Sequence, residues 1–409
     1  MNAPARVLAL STTAFTAMFA VWLMFAVIGI PIQKEFHLTD VELSWLGAVA
    51  VLNGAIWRLV FGIVADRLGG RRVFVALLVG SAIASLAIVF VKTFAGLLAC
   101  AFLVGIAGNS FSAGIAWNAA WFPRQRQGVA LGTFGAGNVG ASVTKLFGPT
   151  LIAAVPATGI AGILPGGWRI VPVAYTLILL FIAAAVALFC PRDVEKSGPR
   201  RSIGELLRPL NRARVWRFSL YYVVVFGAYV ALSLALPKYY MGRYGLPLGE
   251  AGLLAALFIF PASLLRPLGG YLSDRLGPRG VMYVVFAVML AASAILAGDR
   301  SAGYAVGLWP FVVVVFVIGI AMGLGKAAVY KYIAEFYPKD VAAVGGVVGA
   351  LGALGGFVLP LFFAYLKAGT GLVQAPFVVL LVLTAASFGW LHAAVMRTSH
   401  AAPAAAGAS

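Results

Sequence analysis

The chain is a succession of apolar stretches separated by short polar segments. Twelve of these stretches have about the 20 residues that an α-helix needs to cross the hydrocarbon core of a membrane. Charged residues are concentrated in the gaps between them. We therefore predict twelve transmembrane helices, which we number as spans one to twelve: 8–30, 43–65, 73–92, 94–118, 127–153, 170–190, 216–238, 250–272, 280–298, 310–335, 341–366 and 374–397.

Composition and charge support this pattern. Of the 409 residues, 62% are hydrophobic and only 10% are charged, which excludes an ordinary soluble protein. The net charge is +18, and most Lys and Arg residues lie in loops on the side of the N-terminus. Because positively charged loops remain in the cytoplasm, both termini are predicted to be cytoplasmic. This orientation signal explains the positive charge without nucleic acid as a partner.

The two halves of the chain repeat one pattern. Arg58-xxx-Gly62-xxx-Asp66-Arg67-Leu68-Gly69-x-Arg71 has the same spacing as Arg266-xxx-Gly270-xxx-Asp274-Arg275-Leu276-Gly277-x-Arg279. A duplication of this kind predicts two bundles of six helices, with a substrate site near the membrane midplane between them. The predicted organisation is an N-terminal bundle over 1–190, a cytoplasmic linker over 191–215, a C-terminal bundle over 216–397 and a disordered tail over 398–409.

Arg58 and Arg266 are the most informative polar residues. Each lies about two helical turns inside an apolar span, and no carboxylate accompanies either of them. An arginine near the bilayer centre costs about 2.5 to 3.5 kcal/mol even on lenient insertion scales. The alternative is that both side chains extend to the inner surface, but duplication at the same place favours a shared role. We predict that both bind one small anion.

Glycine-rich faces run along spans five and eleven. Small residues at helical spacing let helix backbones approach closely, which predicts a packing role. Asn138 interrupts the first face and can also donate to a bound anion. The spacing Gly-x-Gly-x-x-Gly also matches a dinucleotide-binding loop, but no strand precedes it, so no cofactor is predicted. The packing glycines are Gly135, Gly137, Gly140, Gly349, Gly352 and Gly355.

Four further charged residues fall inside the apolar spans or at their ends. Lys331 and Glu335 are four residues apart, the spacing at which oppositely charged side chains pair on a helix. Lys145 and Lys326 can either strengthen the positive field of a central cavity or exchange protons. All four residues are therefore candidates for coupling transport to an ion gradient.

The loop Gly62-Ile-Val-Ala-Asp66-Arg67-Leu68-Gly69-Gly70-Arg71-Arg72 resembles the signature loop of the major facilitator superfamily, and Gly270 to Arg279 resembles its second-half counterpart. The resemblance implies an all-α membrane protein with the major facilitator fold, in which 12 transmembrane helices form two six-helix bundles. It also implies gating roles for charged residues at the inner ends of helices. These are Asp66, Arg71, Asp274 and Arg279.

Two further segments resemble the signature motifs of the nitrate/nitrite porter family within that superfamily. They are Phe134-Gly-Ala-Gly-Asn-Val-Gly-Ala-Ser-Val and Gly349-Ala-Leu-Gly-Ala-Leu-Gly-Gly-Phe357. The resemblance implies a monomer in a bacterial inner membrane that binds nitrate or nitrite, without a metal, between two arginines, an asparagine and aromatic rings. The substrate-binding candidates are Arg58, Arg266, Asn138, Tyr222, Phe226, Phe25 and Phe111.

Two modes of ion coupling occur within that family, which contains proton-coupled nitrate importers and nitrate/nitrite exchangers. The lack of a carboxylate near the centre of any span favours exchange, whereas the segment from Tyr330 to Pro338 resembles the proton-coupled branch. We predict proton-coupled nitrate import, with nitrate/nitrite antiport, organic-anion exchange and a membrane anion sensor as alternatives. No enzyme is predicted, because the chain has three histidines and shows no cluster of catalytic or metal-binding residues.

Overall fold

The computed structural model of the protein is a bundle of apolar α-helices. It describes residues 2–156, 158–159, 166–193, 203–299, 304–338 and 340–406. Within these residues, nine helices are long and apolar enough to cross a membrane, or ten if the bent pair Asp40–Ile56 and Arg58–Leu68 forms one span. The remaining predicted spans consist of shorter helices or share a helix with a neighbouring span. The predicted all-α fold of two six-helix bundles is confirmed.

Helices occupy all twelve predicted spans. In chain order they are Ala3–Trp22 with Phe25–Glu35; Asp40–Ile56 with Arg58–Leu68; Gly70–Ile88; Phe94–Val104 with Ser110–Trp121; Arg124–Ala136 with Gly140–Ala154; Ile170–Phe189; Ala213–Tyr222 with Ala228–Tyr244; Leu248–Leu264 and then Arg266–Ala297, which together form spans eight and nine; Leu308–Phe336; Val341–Thr370; and Ala375–Ala406.

The segments predicted to lack regular structure are partly helical. Ile203–Leu207 forms a short helix in the predicted linker, whereas residues 194–202 lie outside the described part of the chain. The last helix continues to Ala406, into the segment predicted as a disordered tail.

The repeated motif produces the same turn in both halves. Gly69 and Gly277 occupy equivalent motif positions and have φ values of 89° and 74°. Glycine adopts such positive φ values without a steric penalty from a Cβ atom. Each glycine therefore ends one span and lets the next begin at once, at the face of the membrane that carries the chain termini. We call this the terminal face, and the other the opposite face.

The glycine-rich spans pack within their own halves at backbone distance. A Cβ atom on Gly140 would lie 2.0 Å from the carbonyl oxygen of Thr16 in span one. A Cβ atom on Gly352 would lie 2.3 Å from the ring of Tyr222 in span seven. Neither site has room for a larger residue. Spans five and eleven therefore lie directly against spans one and seven.

Candidate substrate site between the two halves

Arg58 and Arg266 each begin a helix directly after a break in their span. Span two bends by 46° at the break between Ile56 and Arg58. Span eight is interrupted at Leu265, the equivalent position of the second half. The start of a helix carries partial positive charge from its aligned peptide dipoles, which favours an anion. At both arginines, a positively charged side chain therefore lies at the positive end of a helix.

Both guanidinium groups are buried and lie against one ring. Arg58 is 1% exposed and Arg266 is 8% exposed. Their Cζ atoms lie 5.3 Å and 5.6 Å from the centroid of Phe111, which is itself 4% exposed. The fold therefore brings two residues from different halves to a common place, where their charges repel each other.

The guanidinium groups keep unused hydrogen-bond donors. Arg58 donates from Nε to the carbonyl of Gly54 at 3.2 Å and from Nη1 to the carbonyl of Gly349 at 3.4 Å. Nη2 of Arg58 and Nη1 of Arg266 are buried without a hydrogen-bond partner in the described part of the chain. No Asp or Glu among those residues forms an ion pair with either arginine. A buried donor without an acceptor destabilises the folded protein, so these groups favour a bound acceptor.

Each arginine also touches a glycine of the opposite half. Arg58 donates to Gly349 of span eleven, and a Cβ atom on Gly135 of span five would lie 3.1 Å from Nη1 of Arg266. The two contacts join corresponding spans of the two halves, although Gly135 and Gly349 are one residue out of register with the repeat. The glycine-rich faces therefore serve two purposes, because besides packing within their halves they admit an arginine from the other half.

Asn138 lies in a break of span five. The chain forms one turn of 3-10 helix at Gly137–Val139, between two α-helices. The backbone carbonyl of Asn138 accepts a hydrogen bond from the Tyr229 hydroxyl at 3.1 Å, which ties span five to span seven. Its side chain is fully buried, and both amide atoms lack a partner among the described residues. The amide is therefore available to a ligand one turn from Gly135.

Three of the four predicted aromatic residues belong to this cluster. Phe111 contacts both arginines, and the centroid of Phe226 lies 5.5 Å from Cζ of Arg58. Tyr222 stacks on Phe226 with a centroid separation of 5.1 Å and an interplanar angle of 15°. Phe226 is part of a π-helical turn at Val223–Gly227, a distortion that is frequent at functional sites.

Two aromatic residues of the site were missed by sequence reasoning. In span one, Trp22 lies 6.0 Å from Cζ of Arg58, whereas the predicted Phe25, one turn later, is buried and makes no such contact in the described structure. In span ten, Tyr330 packs edge-on against Tyr222 with a centroid separation of 5.3 Å. Tyr330 follows Lys326 by one turn, and this spacing was the available signal.

Lys326 is the one candidate coupling residue that reaches the aromatic cluster. Its Nζ lies 3.2 Å from the ring centroid of Tyr229 and 5.7 Å from that of Phe226. It also donates to the carbonyl of Ala262 at 2.9 Å. Lys145 is equally buried, but its Nζ donates to the carbonyl of Ala141 in its own helix. Lys326 therefore places a third basic side chain near Arg266.

Lys331 and Glu335 lie toward the terminal face. Lys331 forms an ion pair with Asp274 at 2.6 Å, so the predicted pairing with Glu335 is wrong. The reason is the approach of span eight, which brings a carboxylate nearer than the neighbour on the same helix. Glu335 is exposed.

The contacts given for three of the predicted gating residues, Arg71, Asp274 and Arg279, do not reach the other half. Arg71 donates from its side chain to the carbonyl of Ala187 and from its backbone N–H to Asp193 at 3.1 Å. Asp274 pairs with Lys331, and Arg279 lies beside the hydroxyl of Tyr332. Asp66 is exposed near the end of the helix Arg58–Leu68. These contacts hold the motif loops to the ends of neighbouring spans.

The opposite face is closed by polar contacts between the halves. Asp40 of span two forms an ion pair with Lys238 and a second with Lys367, at 2.8 Å. Lys238 also donates to the side chain of Gln33 at 2.7 Å. All of these bonds join the first half to the second. Asp40 therefore acts as a link that must break before this face opens.

Replacing Asp40 by Asn is expected to shift the protein toward a state open at the opposite face. Because Asp40 is 44% exposed, the two ion pairs together contribute only about 1 kcal/mol, equivalent to about a fivefold shift in population. Electron-paramagnetic-resonance distances between labels at Lys34→Cys and Glu250→Cys, with Cys100 and Cys190 replaced by Ala, measure the opening.

Glu42→Gln is the control for that experiment, since Glu42 caps its own helix through Thr39. An unchanged distance distribution in Asp40→Asn, matching that of Glu42→Gln, would contradict the proposed link.

Comparison with known proteins identifies the family of this two-half arrangement. The family model of the Major Facilitator Superfamily matches residues 10–297 and 218–408. The chain belongs to the major facilitator superfamily. This membership makes it a multi-pass membrane protein of a family of transporters. Within the superfamily, the chain belongs to the nitrate/nitrite porter family.

Curated relatives define the narrower family. The chain is 56% identical over 406 residues to a "Probable nitrate/nitrite antiporter NarK1" of Thermus thermophilus, covering 96% of this chain and 92% of that protein. It is 30% identical over 382 residues to a "Nitrite extrusion protein" of Bacillus subtilis (strain 168), covering 93% and 92%. It is 31% identical over 369 residues to a "Probable nitrate/nitrite transporter NarK2" of Mycobacterium tuberculosis (strain ATCC 25618 / H37Rv), covering 88% and 89%.

A solved structure shares the fold of this facilitator. A bacterial homologue of the human lysosomal transporter Spinster, in an inward-facing and unoccupied conformation, superposes with a TM-score of 0.72 at 18% identity and covers 96% of this chain and 97% of that one. At this identity the likeness concerns the fold alone.

Proposed function

We propose that this facilitator transports nitrate and nitrite across the bacterial inner membrane by alternating access, and that one anion at a time binds between Arg58 and Arg266. The observation that carries the proposal is the pair of buried arginines, one from each half, with unused donors and without a carboxylate partner in the described structure. The names of the curated relatives, which include nitrate and nitrite, support the same substrate.

The chemistry of the site suits a small planar anion. A guanidinium group is a planar fork of donors that can bind two oxygens of nitrate at once. Buried surroundings strengthen such bonds, because water does not compete for them. The ring of Phe111, which contacts both arginines, offers a flat apolar surface beside the anion. The rings of Trp22, Phe111 and Phe226 around Arg58 favour a small anion over a bulky carboxylate as the proposed substrate.

Anion binding and movement of the halves are linked in this proposal. Two positive charges near Phe111 repel each other, and an anion between them removes that cost. The loaded site can then be enclosed by both halves as they rock around it. In the described conformation the halves meet at the opposite face through Asp40. We propose that ligand is exchanged at the terminal face, which is the cytoplasmic face in this proposal.

For coupling, we favour exchange of nitrate for nitrite over the proton-coupled import expected from the sequence. The relative that is 56% identical is described as a probable antiporter. Glu335 is exposed, and Lys331 is paired with Asp274, so neither contacts the arginines. An exchanger needs only the site itself, because a bound anion is required for the halves to move in either direction. Symport remains the second candidate, carried by Lys326 beside Tyr229.

Flux into proteoliposomes distinguishes the two modes of coupling. We expect uptake of labelled nitrate to accelerate at least tenfold when nitrite is loaded inside, and to be insensitive to an inward proton gradient. Lys326→Gln should slow exchange, because it removes the basic side chain that contacts the rings of Tyr229 and Phe226, without creating or removing proton dependence. Stimulation by the proton gradient in liposomes without internal anion, lost in Lys326→Gln, would establish symport and contradict exchange. Absence of nitrate flux under every condition would contradict the proposed function.

A further inference from the structure

A basic cavity lies at the terminal face of the second half, separate from the arginine pair. It has a volume of about 270 Å³. The start of span seven and the end of span twelve form its walls, with Arg214, Arg217, Trp390 and Arg397 and three alanines as lining residues. The alanines leave the space that the longer side chains surround. Three positive charges thus converge on one opening at the ends of two membrane spans.

The charge of this cavity is not neutralised by the protein. None of its three arginines forms an ion pair with a carboxylate in the parts of the chain that the structure describes, whereas the neighbouring Arg212 pairs with Asp340 at 3.9 Å. Nε of Arg217 is buried and lacks a hydrogen-bond partner among the same residues. The cavity therefore offers donors to an external acceptor.

Aromatic contacts hold two of the arginines in place. Cζ of Arg214 lies 4.5 Å from the ring centroid of Phe336, and Cζ of Arg217 lies 5.6 Å from that of Phe218. Stacking on a ring fixes the guanidinium plane and leaves its edge free to donate. The two side chains therefore lose little conformational freedom when they bind a ligand, and this favours a specific site over a diffuse surface charge.

We propose that this cavity binds the phosphate group of an anionic phospholipid. Guanidinium groups bind phosphate oxygens in pairs, and three of them can surround one phosphate. The cavity lies at helix ends, where headgroups are found, and Trp390 is 41% exposed at its wall, as is typical of a ring at the membrane interface. Its volume accommodates a headgroup, with the acyl chains remaining in the bilayer. This site does not depend on which anion the transporter carries.

Thermal unfolding of the purified, delipidated full-length protein in detergent tests the proposal. Phosphatidylglycerol should raise the unfolding temperature, whereas phosphatidylcholine and inorganic phosphate at the same concentration should not. Arg214→Gln/Arg217→Gln/Arg397→Gln should abolish this specific increase, with about a fivefold loss of affinity per arginine. The control Arg72→Gln/Arg126→Gln/Arg208→Gln removes the same charge from exposed positions outside the cavity and should keep the increase.

Three results would overturn the proposal. An equal increase in the triple variant and in its control would show that phosphatidylglycerol acts elsewhere. An equal effect of inorganic phosphate would assign the cavity to a free anion. If the triple variant does not fold, Arg397→Gln alone, at an exposed position, should still weaken the response to phosphatidylglycerol, and an unchanged response would overturn the proposal.

Discussion

Replacing Arg58 or Arg266 by Lys is expected to reduce nitrate uptake about 100-fold while the protein stays folded. Lysine keeps the positive charge but presents a compact ammonium group in place of a planar fork, so it cannot bind two nitrate oxygens side by side. Loss of a charge-assisted pair of hydrogen bonds costs about 3 kcal/mol, which corresponds to a factor of about 100. Uptake into proteoliposomes and elution from a sizing column measure activity and folding separately.

Arg275→Lys is the matched control. Arg275 belongs to the same motif in the second half, but its guanidinium stacks on the exposed ring of Tyr271, with Cζ 4.6 Å from the ring centroid. We expect the control to retain uptake within about twofold of the original protein, as is usual for exposed substitutions. Near-normal uptake in Arg58→Lys or Arg266→Lys would contradict the role given to that arginine.

Replacing Gly252 by Ala is expected to prevent tight closure of the opposite face. Gly252 of span eight lies against span five of the other half, and a Cβ atom there would lie 2.4 Å from the backbone carbonyl oxygen of Lys145. A backbone atom cannot move aside as a side-chain end can. Overpacking of this kind costs about 1 to 3 kcal/mol, so the closed population should fall by about 5- to 150-fold.

Gly249→Ala provides the control on the same helix. A Cβ atom on Gly249 has no neighbour within 4 Å in the described structure. Gly249→Ala therefore makes the same Gly-to-Ala change in helix propensity as Gly252→Ala but leaves the contact between the halves intact. The labels at Lys34→Cys and Glu250→Cys should report a longer distance in Gly252→Ala than in Gly249→Ala. Equal distance distributions in the two variants would show that this contact does not set the conformation.

The fold could be predicted from the sequence because the patterns that indicate it are long and occur in both halves. Span lengths, loop charges and the duplicated motif each average over many residues, and all twelve predicted spans coincide with helices. The motif also predicted which residues are equivalent in the two halves. Gly69 and Gly277 both adopt a positive φ, as expected for equivalent positions of a repeat.

The site was accessible only in part, because its geometry depends on breaks within the spans. Trp57 and Leu265 interrupt spans two and eight just before the arginines. Pro267, in the first turn of the helix that begins at Arg266, accounts for the second break, because proline has no backbone N–H to continue the preceding helix. Span two has no proline at its break, and a hydrophobicity pattern contains neither break. The same limit explains why Trp22 rather than Phe25 reaches Arg58, since one helical turn decides which ring faces the site.

Partners of charged residues were the least predictable feature. Sequence spacing predicts an ion pair between Lys331 and Glu335, but in the fold Lys331 pairs with Asp274 from another span. Likewise, Asp40 meets Lys238 and Lys367, both from the second half of the chain. Pairs of this kind depend on how the halves meet, and no local pattern in the chain records that arrangement.

A crystal structure of the protein grown with nitrate tests whether one anion bridges Arg58 and Arg266. We expect a single nitrate ion beside the ring of Phe111, with oxygens within hydrogen-bonding distance of both guanidinium groups, including Nη2 of Arg58 and Nη1 of Arg266. Two separate ions, one on each arginine, or a nitrate bound elsewhere with these donors unengaged, would contradict the account.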